Sequence, residues 1–309
     1  MTGTTIPSAA QARFERLFDA DFLARLGPLS LRVAQAQKGG RLAEQKTSAR
    51  GQGAEFADFK PYVAGDDLRA IDWNVYRRLG RLFVRVFEER QDMPVYFLVD
   101  LSDSMFIEQP PRIEAALKST LALAAIALGQ HDAVSLLPFS ARMSLQVRSL
   151  SGRNNVMRVA RHLAEYEAAG STALVAAIEQ LAGMKLRRGL VVVVSDFFDP
   201  TGIDAVVSGL EQVAHSLLLV QLVRAHDADP ALHPDLRGDV LIDDGESPDG
   251  LELSVTPELL ERYRQAYRVF AGRLQDFSRQ RGAGLLRMDA GQDVLTQLAA
   301  LFGSGELRL

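Results

Sequence analysis

From residue 92 onward, short apolar runs alternate with longer stretches whose apolar residues recur every three or four positions. Short apolar runs are typical of strands buried on both faces of a sheet, and the longer spacing is typical of helices. Six strands are predicted on this basis: Pro94–Leu101, Ala133–Phe139, Met143–Val147, Leu190–Asp196, Ser216–Val223 and Gly284–Met288. The predicted helices are Arg112–Gly129, Gly152–Tyr166, Thr172–Met184, Thr201–Val213, a helix capped by Thr256 with an apolar stripe ending at Phe277, and Val294–Phe302.

Strands that alternate with helices predict an α/β fold, here a doubly wound, mainly parallel six-stranded sheet of the Rossmann type. Only the short connection between the second and third strands requires an antiparallel edge strand. The chain upstream predicts a helical and extended N-terminal segment, with two helices within residues 1–38. We therefore expect residues 1–90 to form an N-terminal extension and residues 91–309 to form the sheet domain.

Composition narrows the class of protein. The 309 residues are 47% hydrophobic and 24% charged, as in a globular protein with a large buried core. The sequence has no cysteine, which excludes disulfides, thiolate nucleophiles, iron–sulfur clusters and cysteine-ligated zinc. The N-terminus lacks the pattern of a signal peptide, and the apolar runs are shorter than the ~20 residues that a membrane span needs. These features predict a cytoplasmic protein with no membrane span.

The net charge of −4 is unevenly distributed along the chain. Residues 1–90 carry 15 basic and 11 acidic side chains, whereas residues 225–253 carry nine acidic side chains and one basic one. Because this stretch is also rich in Gly and Pro, residues 225–255 are expected to form an exposed loop or hairpin that covers or extends one rim of the sheet. The overall acidity disfavours nucleic acid as a partner, since the phosphate backbone attracts extended basic surfaces.

Polar residues cluster near the predicted carboxyl ends of the strands, where ligands bind in open parallel sheets. Asp100, Ser102 and Ser104 follow the first strand, Asp196 ends the fourth, and Thr172 begins a helix. Alternate residues of a tight turn can point towards one centre, so we expect these oxygen atoms to converge. Such donors suit Mg²⁺, or Mn²⁺ or Ca²⁺, rather than zinc. The alternative interpretation is structural, because Ser and Asp also cap helices and form turns.

A second group of candidate residues lies upstream, in a Y-x-x-GDDxRxIDW string followed by an arginine-rich segment. Its members are Tyr62, Gly65, Asp66, Asp67, Arg69, Asp72, Trp73 and Arg77. We expect Asp66 to cap a short helix starting at Asp67, on which Arg69 and Asp72 can pair. Two interpretations are open: a buried polar network that locks an irregular segment, and a docking surface for a partner.

The five strand-end residues, in this order and on these elements, resemble the metal-ion-dependent adhesion site of von Willebrand factor A-type domains, over about residues 92–303. Together with the upstream string, the chain resembles the bacterial family catalogued as domain of unknown function 58, over about residues 40–303. The resemblance implies a Mg²⁺ site that binds an acidic residue of a partner protein. It also implies association with a MoxR-type AAA+ ATPase, or with its client, in the assembly or remodelling of protein complexes.

The leading hypothesis is therefore a non-enzymatic, metal-dependent adaptor. An alternative is a metal-assisted phosphoester hydrolase, because an open Mg²⁺ site can activate water. The sequence disfavours it, since Ser102 stands where dehalogenase-type phosphatases carry a second Asp, and no His or Lys base accompanies the site in a motif. A nucleic-acid accessory protein is a third possibility, disfavoured by acidity and by the lack of interleaved aromatic residues.

Overall fold

The computed structural model describes most of the chain. The described residues are 9–29, 54–64, 66–89, 92–233, 235–242, 245–246 and 250–303. They fall into two compact units, the first drawn from residues 1–39 and 93–309 and the second from residues 40–92.

The first unit is built on a six-stranded sheet. Its strands are β3 (Pro94–Asp100), β4 (Ala133–Phe139), β5 (Val147–Leu150), β6 (Leu190–Ser195), β7 (Ser216–Val223) and β10 (Gly284–Asp289). The order across the sheet is β10–β7–β6–β3–β4–β5, and every neighbouring pair is parallel except β4 and β5. The predicted fold class, a mainly parallel six-stranded sheet with one antiparallel edge strand, is confirmed.

Helices cover both faces of this sheet. The helices of the described residues are α1 (Ala9–Leu17), α2 (20–29), α3 (Trp73–Leu79, in the second unit), α4 (Ser104–Ile107), α5 (Arg112–Gly129), α6 (Val156–Ala164), α7 (Leu174–Gly183), α8 (Ile203–Glu211), α9 (Ala225–Ala228), α10 (Pro257–Arg281) and α11 (Val294–Gly303). In β3, Phe97 and Val99 join the core that contains α5 and α6, whereas Tyr96 and Leu98 join the core that contains α7 and α8. Side chains alternate along a strand, so β3 contributes to both layers and is buried throughout.

The described N-terminal helices contribute to the core of the sheet unit, where α1 contacts α6 and α5. Leu17, Phe18 and Phe22 are at most 5% exposed and belong to the same core as α5. Arg25 Nη2 also pairs with Asp293 Oδ1 at 2.5 Å. The expected boundary between residues 90 and 91 stays a prediction, but α1 and α2 group with the sheet and not with the segment that follows them.

The edge strand lies later in the chain than predicted. We expected it at 143–147, but Met143 forms only an isolated bridge with Phe139, and the paired strand begins at Val147. An edge strand pairs on one side only, so its bounds depend on the register against β4, which is irregular between Val134 and Leu136. The apolar alternation identified the strand but not its start.

The acidic insertion follows β7 and folds as α9 and a hairpin. Its strands β8 (Gly238–Ile242) and β9 (Leu251–Val255) pair antiparallel, with Val240 opposite Leu253. The Thr256 hydroxyl then accepts a hydrogen bond from the Leu259 amide at 3.2 Å and caps α10, as its sequence predicts. The insertion thus begins after the carboxyl end of β7 and ends at the start of α10.

The second unit contains an antiparallel strand pair, β1 (Ala54–Pro61) and β2 (Phe83–Glu89), with an irregularity between Phe56 and Asp58. A 3-10 turn, Leu68–Ala70, and α3 lie between the two strands. Across both units, none of the helices in the described ranges is long and apolar enough to cross a membrane.

Candidate metal centre

Asp100 ends the central strand β3, and none of its surface is exposed. Its carboxylate is held by two donors: the Ser195 hydroxyl donates to Oδ2 at 2.6 Å, and the Ser102 amide donates to Oδ1 at 3.0 Å. No side chain that the structure describes forms an ion pair with Asp100. The charge of Asp100 is therefore stabilised by hydrogen bonds and not by a protein cation.

Three hydroxyl groups lie beside this carboxylate. The Ser102 and Ser104 hydroxyl oxygens are 3.1 Å apart, and Thr172 Oγ1 lies 3.5 Å from Asp100 Oδ1. Ser102 and Thr172 are buried, and Ser104 is partly exposed at the rim. Of the neutral oxygen atoms predicted as ligands, those of Ser102 and Thr172 therefore contact the Asp100 carboxylate, and that of Ser104 adjoins Ser102.

Backbone contacts hold together the two turns that carry these hydroxyls. The Asp103 amide donates to the Gly170 carbonyl, and the Gly170 amide donates to Asp103 Oδ1, each at 2.9 Å. Gly170 adopts a φ of 93°, a conformation that residues with a side chain rarely adopt. The turn after β3 and the turn before α7 are therefore fixed to each other.

Asp196 follows β6 directly and is 7% exposed. Its Oδ1 accepts a hydrogen bond from the Phe198 amide at 3.0 Å, and the Ser195 hydroxyl accepts one from the Phe197 amide at 2.9 Å. Phe197 has a φ of 67°, which is unusual for an aromatic residue and indicates a constrained turn. Beside this turn lies a cavity of about 630 Å³, lined in part by Asp196, Ser104 and Phe198.

Burial raises the pKa of both aspartates. For Asp196 the pKa rises to about 7, because burial disfavours the charged form and the nearby Asp100 adds repulsion, while the charge of Arg112 opposes the rise. For Asp100, burial is again the largest cause, and hydrogen bonds from Ser195 and Ser102 oppose it. Two neighbouring buried carboxylates that both resist ionisation form an environment that a bound cation would stabilise.

A third carboxylate reaches the site from the acidic insertion. Glu246 Oε1 accepts a hydrogen bond from the Ser104 hydroxyl at 2.8 Å, and Oε2 accepts one from the Thr172 amide at 2.9 Å. Its charge also contributes to raising the pKa of Asp100. The insertion therefore contacts the predicted site through a side chain that the sequence analysis did not single out.

Two residues of the site were thus missed. Glu246 is one of nine acidic residues in its stretch, and no local pattern separates it from the others. Ser195 had one signal, its position at the end of the strongest predicted strand, next to Asp196. A hydroxyl that bonds a buried carboxylate of the adjacent strand is recognisable only once the strand order is known.

The donor set fits a hard divalent cation. The structure brings all five predicted residues together: two buried carboxylates supply negative charge, and three hydroxyls supply neutral oxygen atoms. Carboxylate and hydroxyl oxygens are suited to Mg²⁺ or Ca²⁺. That these residues bind a metal ion stays a prediction.

The upstream aspartates form local hydrogen bonds in the second unit. The Asp66 carboxylate accepts from the Val63 amide at 3.0 Å and pairs with Lys60 Nζ at 2.6 Å. Asp67 Oδ1 accepts from the Arg69 amide at 2.9 Å and caps the 3-10 turn. The expectation that Asp66 caps this turn is wrong, because its carboxylate turns back towards the preceding residues.

The other upstream residues of the second unit differ in their exposure. Asp72 caps α3 by accepting from its first amides, Tyr62 is partly buried, and Gly65 lies outside the described residues. Trp73 is 59% exposed, and Arg77 is exposed as well. Accessible side chains of this kind are what a docking surface requires, and the choice between docking and a structural network stays open.

A second acidic cluster lies close enough to the first that the charges of its Arg112 and Asp227 act on Asp196. Single oxygen or nitrogen atoms of Glu108, His226 and Asp227 all lie within 4.8 Å of one another, a spacing that could hold a metal ion. However, Arg112 Nη2 lies 2.5 Å from Asp227 Oδ1 and 2.8 Å from Glu108 Oε1, and Arg224 also pairs with Glu108. This cluster is an ion-pair network that the protein neutralises itself.

Comparison with known families and sequences identifies the same family that the sequence motifs resemble. A family model described as protein of unknown function DUF58 matches residues 58–271. An uncharacterized protein of Mycobacterium tuberculosis is 25% identical over 293 residues, which cover 93% of this chain and 90% of the relative. An uncharacterized protein of Mycobacterium bovis gives the same values.

Solved structures superpose loosely. BatB of Bacteroides thetaiotaomicron gives a TM-score of 0.40 at 14% identity, over 69% of this chain and 98% of that chain. An aerotolerance-related membrane protein of Bacteroides fragilis gives 0.40 at 17% identity, over 69% and 99%. The SpRpn10 VWA domain gives 0.36 at 12% identity, over 67% and 94%. The von Willebrand A-like fold of this chain rests on its own strand order, with β3 at the centre of the sheet and β5 antiparallel at one edge.

Proposed function

The chain belongs to the family described as protein of unknown function DUF58, and for this member we propose a non-enzymatic role as a metal-dependent adaptor between proteins. A von Willebrand A-like fold allows a protein-interaction role. The observation that carries the finer proposal is the pair of buried carboxylates, Asp100 and Asp196: neither forms a direct ion pair with a described side chain, and the charge of Arg112 only partly offsets the burial of Asp196. Such a pair is costly unless a cation balances it.

The proposed ion is Mg²⁺, with Mn²⁺ or Ca²⁺ as substitutes. Asp100 and Asp196 would supply the charge, and Ser102, Ser104 and Thr172 would supply neutral oxygen atoms. When bound, an ion held by few charged ligands keeps residual positive charge and attracts a carboxylate from another protein. The partial exposure of Ser104 and the adjoining cavity give a partner access to this rim.

The proposed partner is a MoxR-type AAA+ ATPase or its client, as the family resemblance implies. The chain would then recognise an acidic side chain on the partner during the assembly or remodelling of a protein complex. An adaptor needs no nucleophile or general base, and the polar contacts of Asp100 within the described site come from Ser, Thr and a backbone amide.

A capture experiment tests this proposal. The immobilised chain is incubated with the MoxR-type ATPase of the same organism in Mg²⁺ and in EDTA. We expect capture only with Mg²⁺, and its loss in Asp100→Ala and Ser102→Ala. Asp21→Ala, an exposed carboxylate on α2, is the matched control and should bind as the unchanged chain does.

Capture that is indifferent to EDTA and to both site substitutions would refute the metal-dependent adaptor. Turnover of a phosphoester that requires both Mg²⁺ and Asp100 would instead favour the hydrolase. Circular dichroism of each variant shows whether a loss of capture reflects unfolding.

A further inference from the structure

Glu246 occupies the open side of the candidate metal centre with both oxygen atoms engaged. One accepts from the Ser104 hydroxyl and the other from the Thr172 amide, at 2.8 and 2.9 Å. We propose that Glu246 is an intrachain acidic ligand of this centre, which holds the position of the partner's carboxylate until the partner displaces it. The inference rests on the proposed function, since it assigns the occupant of the same site in the absence of a partner.

The chain is shaped to bring Glu246 to this position. Gly245 adopts a φ of 71°, and a Cβ atom there would lie 3.0 Å from Cδ1 of Ile107, in the short helix that begins at Ser104. The positive φ favours glycine at this position, and an added Cβ would also press on the end of the Ile107 side chain. A side chain at residue 245 would therefore strain the backbone that precedes Glu246.

Two other acidic residues in the described part of the hairpin lack this arrangement. Asp239 bonds the Ser254 hydroxyl across the hairpin, and Glu252 is exposed on β9. Both hydrogen bonds of Glu246 are partly buried. They join Glu246 to two segments of the site, since Ser104 follows β3 and Thr172 precedes α7. A carboxylate that bridges two ligand-bearing segments is placed as a ligand rather than as a solubilising charge.

The contact has a consequence for the proposed adaptor. A carboxylate of the same chain has a high effective concentration at the site, so a partner's carboxylate must compete with it. Binding of the partner would then be coupled to release of the β8–β9 hairpin from the rim. An acidic partner segment with additional contacts beyond its carboxylate is favoured, because a single carboxylate gains little over Glu246.

Direct titration with Mn²⁺, followed by electron paramagnetic resonance, tests the ligand role without any partner. Removing a group that supports a metal ligand typically weakens affinity by roughly tenfold or more. We therefore expect Glu246→Gln to weaken Mn²⁺ binding about tenfold, and Gly245→Ala to weaken it in the same direction although the carboxylate remains. Glu252→Gln is the matched control on the same hairpin and should bind as the unchanged chain does.

Hydrogen–deuterium exchange supplies a second readout. In the unchanged chain, Mn²⁺ should slow exchange of the amides of β8 and β9, because the ion and Glu246 hold the hairpin at the rim. This ion-dependent protection should be absent in Glu246→Gln. A glutamate with only a local structural role would leave the protection unchanged.

The outcomes separate the two proposals. If Asp100→Ala abolishes Mn²⁺ binding but Glu246→Gln binds normally and keeps the protection, the intrachain ligand is refuted and the metal-dependent adaptor stands. If the unchanged chain and Asp100→Ala bind Mn²⁺ equally, both proposals fail.

The ATPase capture experiment, repeated at saturating Mg²⁺, tests whether Glu246 competes with the carboxylate of the partner. Glu246→Gln should retain more ATPase than the unchanged chain, because the intrachain competitor is gone. Equal or weaker capture would overturn the displacement step.

Discussion

Two acidic clusters in the sheet unit contain similar side chains but differ in what neutralises them. Around Asp227 and Glu108, the guanidinium of Arg112 lies 2.5 and 2.8 Å from the two carboxylates. Asp100 and Asp196, by contrast, accept hydrogen bonds from hydroxyl and amide donors, and the charge of Arg112 acts on Asp196 without a direct ion pair. The protein neutralises the first cluster by direct ion pairs, and it leaves the second only partly balanced.

The comparison shows that proximity of carboxylates does not identify a metal site. Ligand spacing singles out Glu108, His226 and Asp227. Burial would raise the pKa of Glu108, but the hydrogen bond and the charge of Arg112 hold it below its usual range. At the candidate centre, burial raises the pKa of both Asp100 and Asp196, and repulsion from Glu246 on the first and from Asp100 on the second adds to it. The balance of charge, and not the count of ligands, distinguishes the two.

The largest expected effect comes from breaking the neutralised cluster. Arg112 is 5% exposed and Asp227 is equally buried, so Arg112→Met leaves a buried carboxylate without its main cation. We expect the free energy of unfolding to fall by about 3–5 kcal/mol, measured by urea denaturation. Divalent ions should not restore it. Arg268→Met, in an exposed pair with Glu261, is the control and should change stability by less than about 1 kcal/mol.

An intermediate effect is expected at the open cluster. A divalent ion at about 100 times its dissociation constant should stabilise the chain by ~2.7 kcal/mol, read as a rise in melting temperature. Asp196→Asn should abolish this rise without destabilising the metal-free chain, because it removes repulsion. His226→Ala should keep the full rise. If His226→Ala loses it and Asp196→Asn keeps it, the assignment of the two clusters is reversed.

The smallest effect is expected where an ion pair is exposed. Arg25 bonds Asp293 and holds its pKa at about 2, but both side chains are more than a third exposed and solvent screens the pair. Asp293→Asn should therefore lower the free energy of unfolding by no more than about 1 kcal/mol at neutral pH. The lowered pKa stabilises the fold above the ordinary value of about 3.9. The difference between the two chains should vanish as pH falls from about 4 to 2, and a difference that grows with acid would contradict the pairing.

The fold was predictable because each strand of the sheet is a compact apolar run. Helix α5 and strand β7 begin and end at their predicted residues. Strand β5 was displaced, because pairing on one side leaves its register to its neighbour. Helices α1 and α2 were predicted as helices, but amphipathic spacing does not say which surface their apolar faces cover.

The residues of the candidate site likewise include some that the sequence predicts and some that it does not. Asp100, Ser102 and Ser104 were recognisable from their spacing after a strand, since a turn of that length brings alternate side chains to one side. Ser195 and Glu246 were not, because their roles depend on which strands are neighbours and on where a hairpin folds back. Contacts between residues so far apart in the chain produce no periodic pattern in the amino-acid sequence.

The sequence by itself determined the α/β class, the parallel core of the sheet, the cysteine-free set of oxygen donors and the acidic insertion, because these follow from local patterns and composition. The tertiary structure decided which carboxylates are neutralised. Arg112 reaches Asp227 across 115 positions of the chain, and Glu246 reaches Ser104 across 142. Side chains this far apart in the sequence meet only when the sheet forms. Which carboxylates are neutralised is therefore a property of the fold.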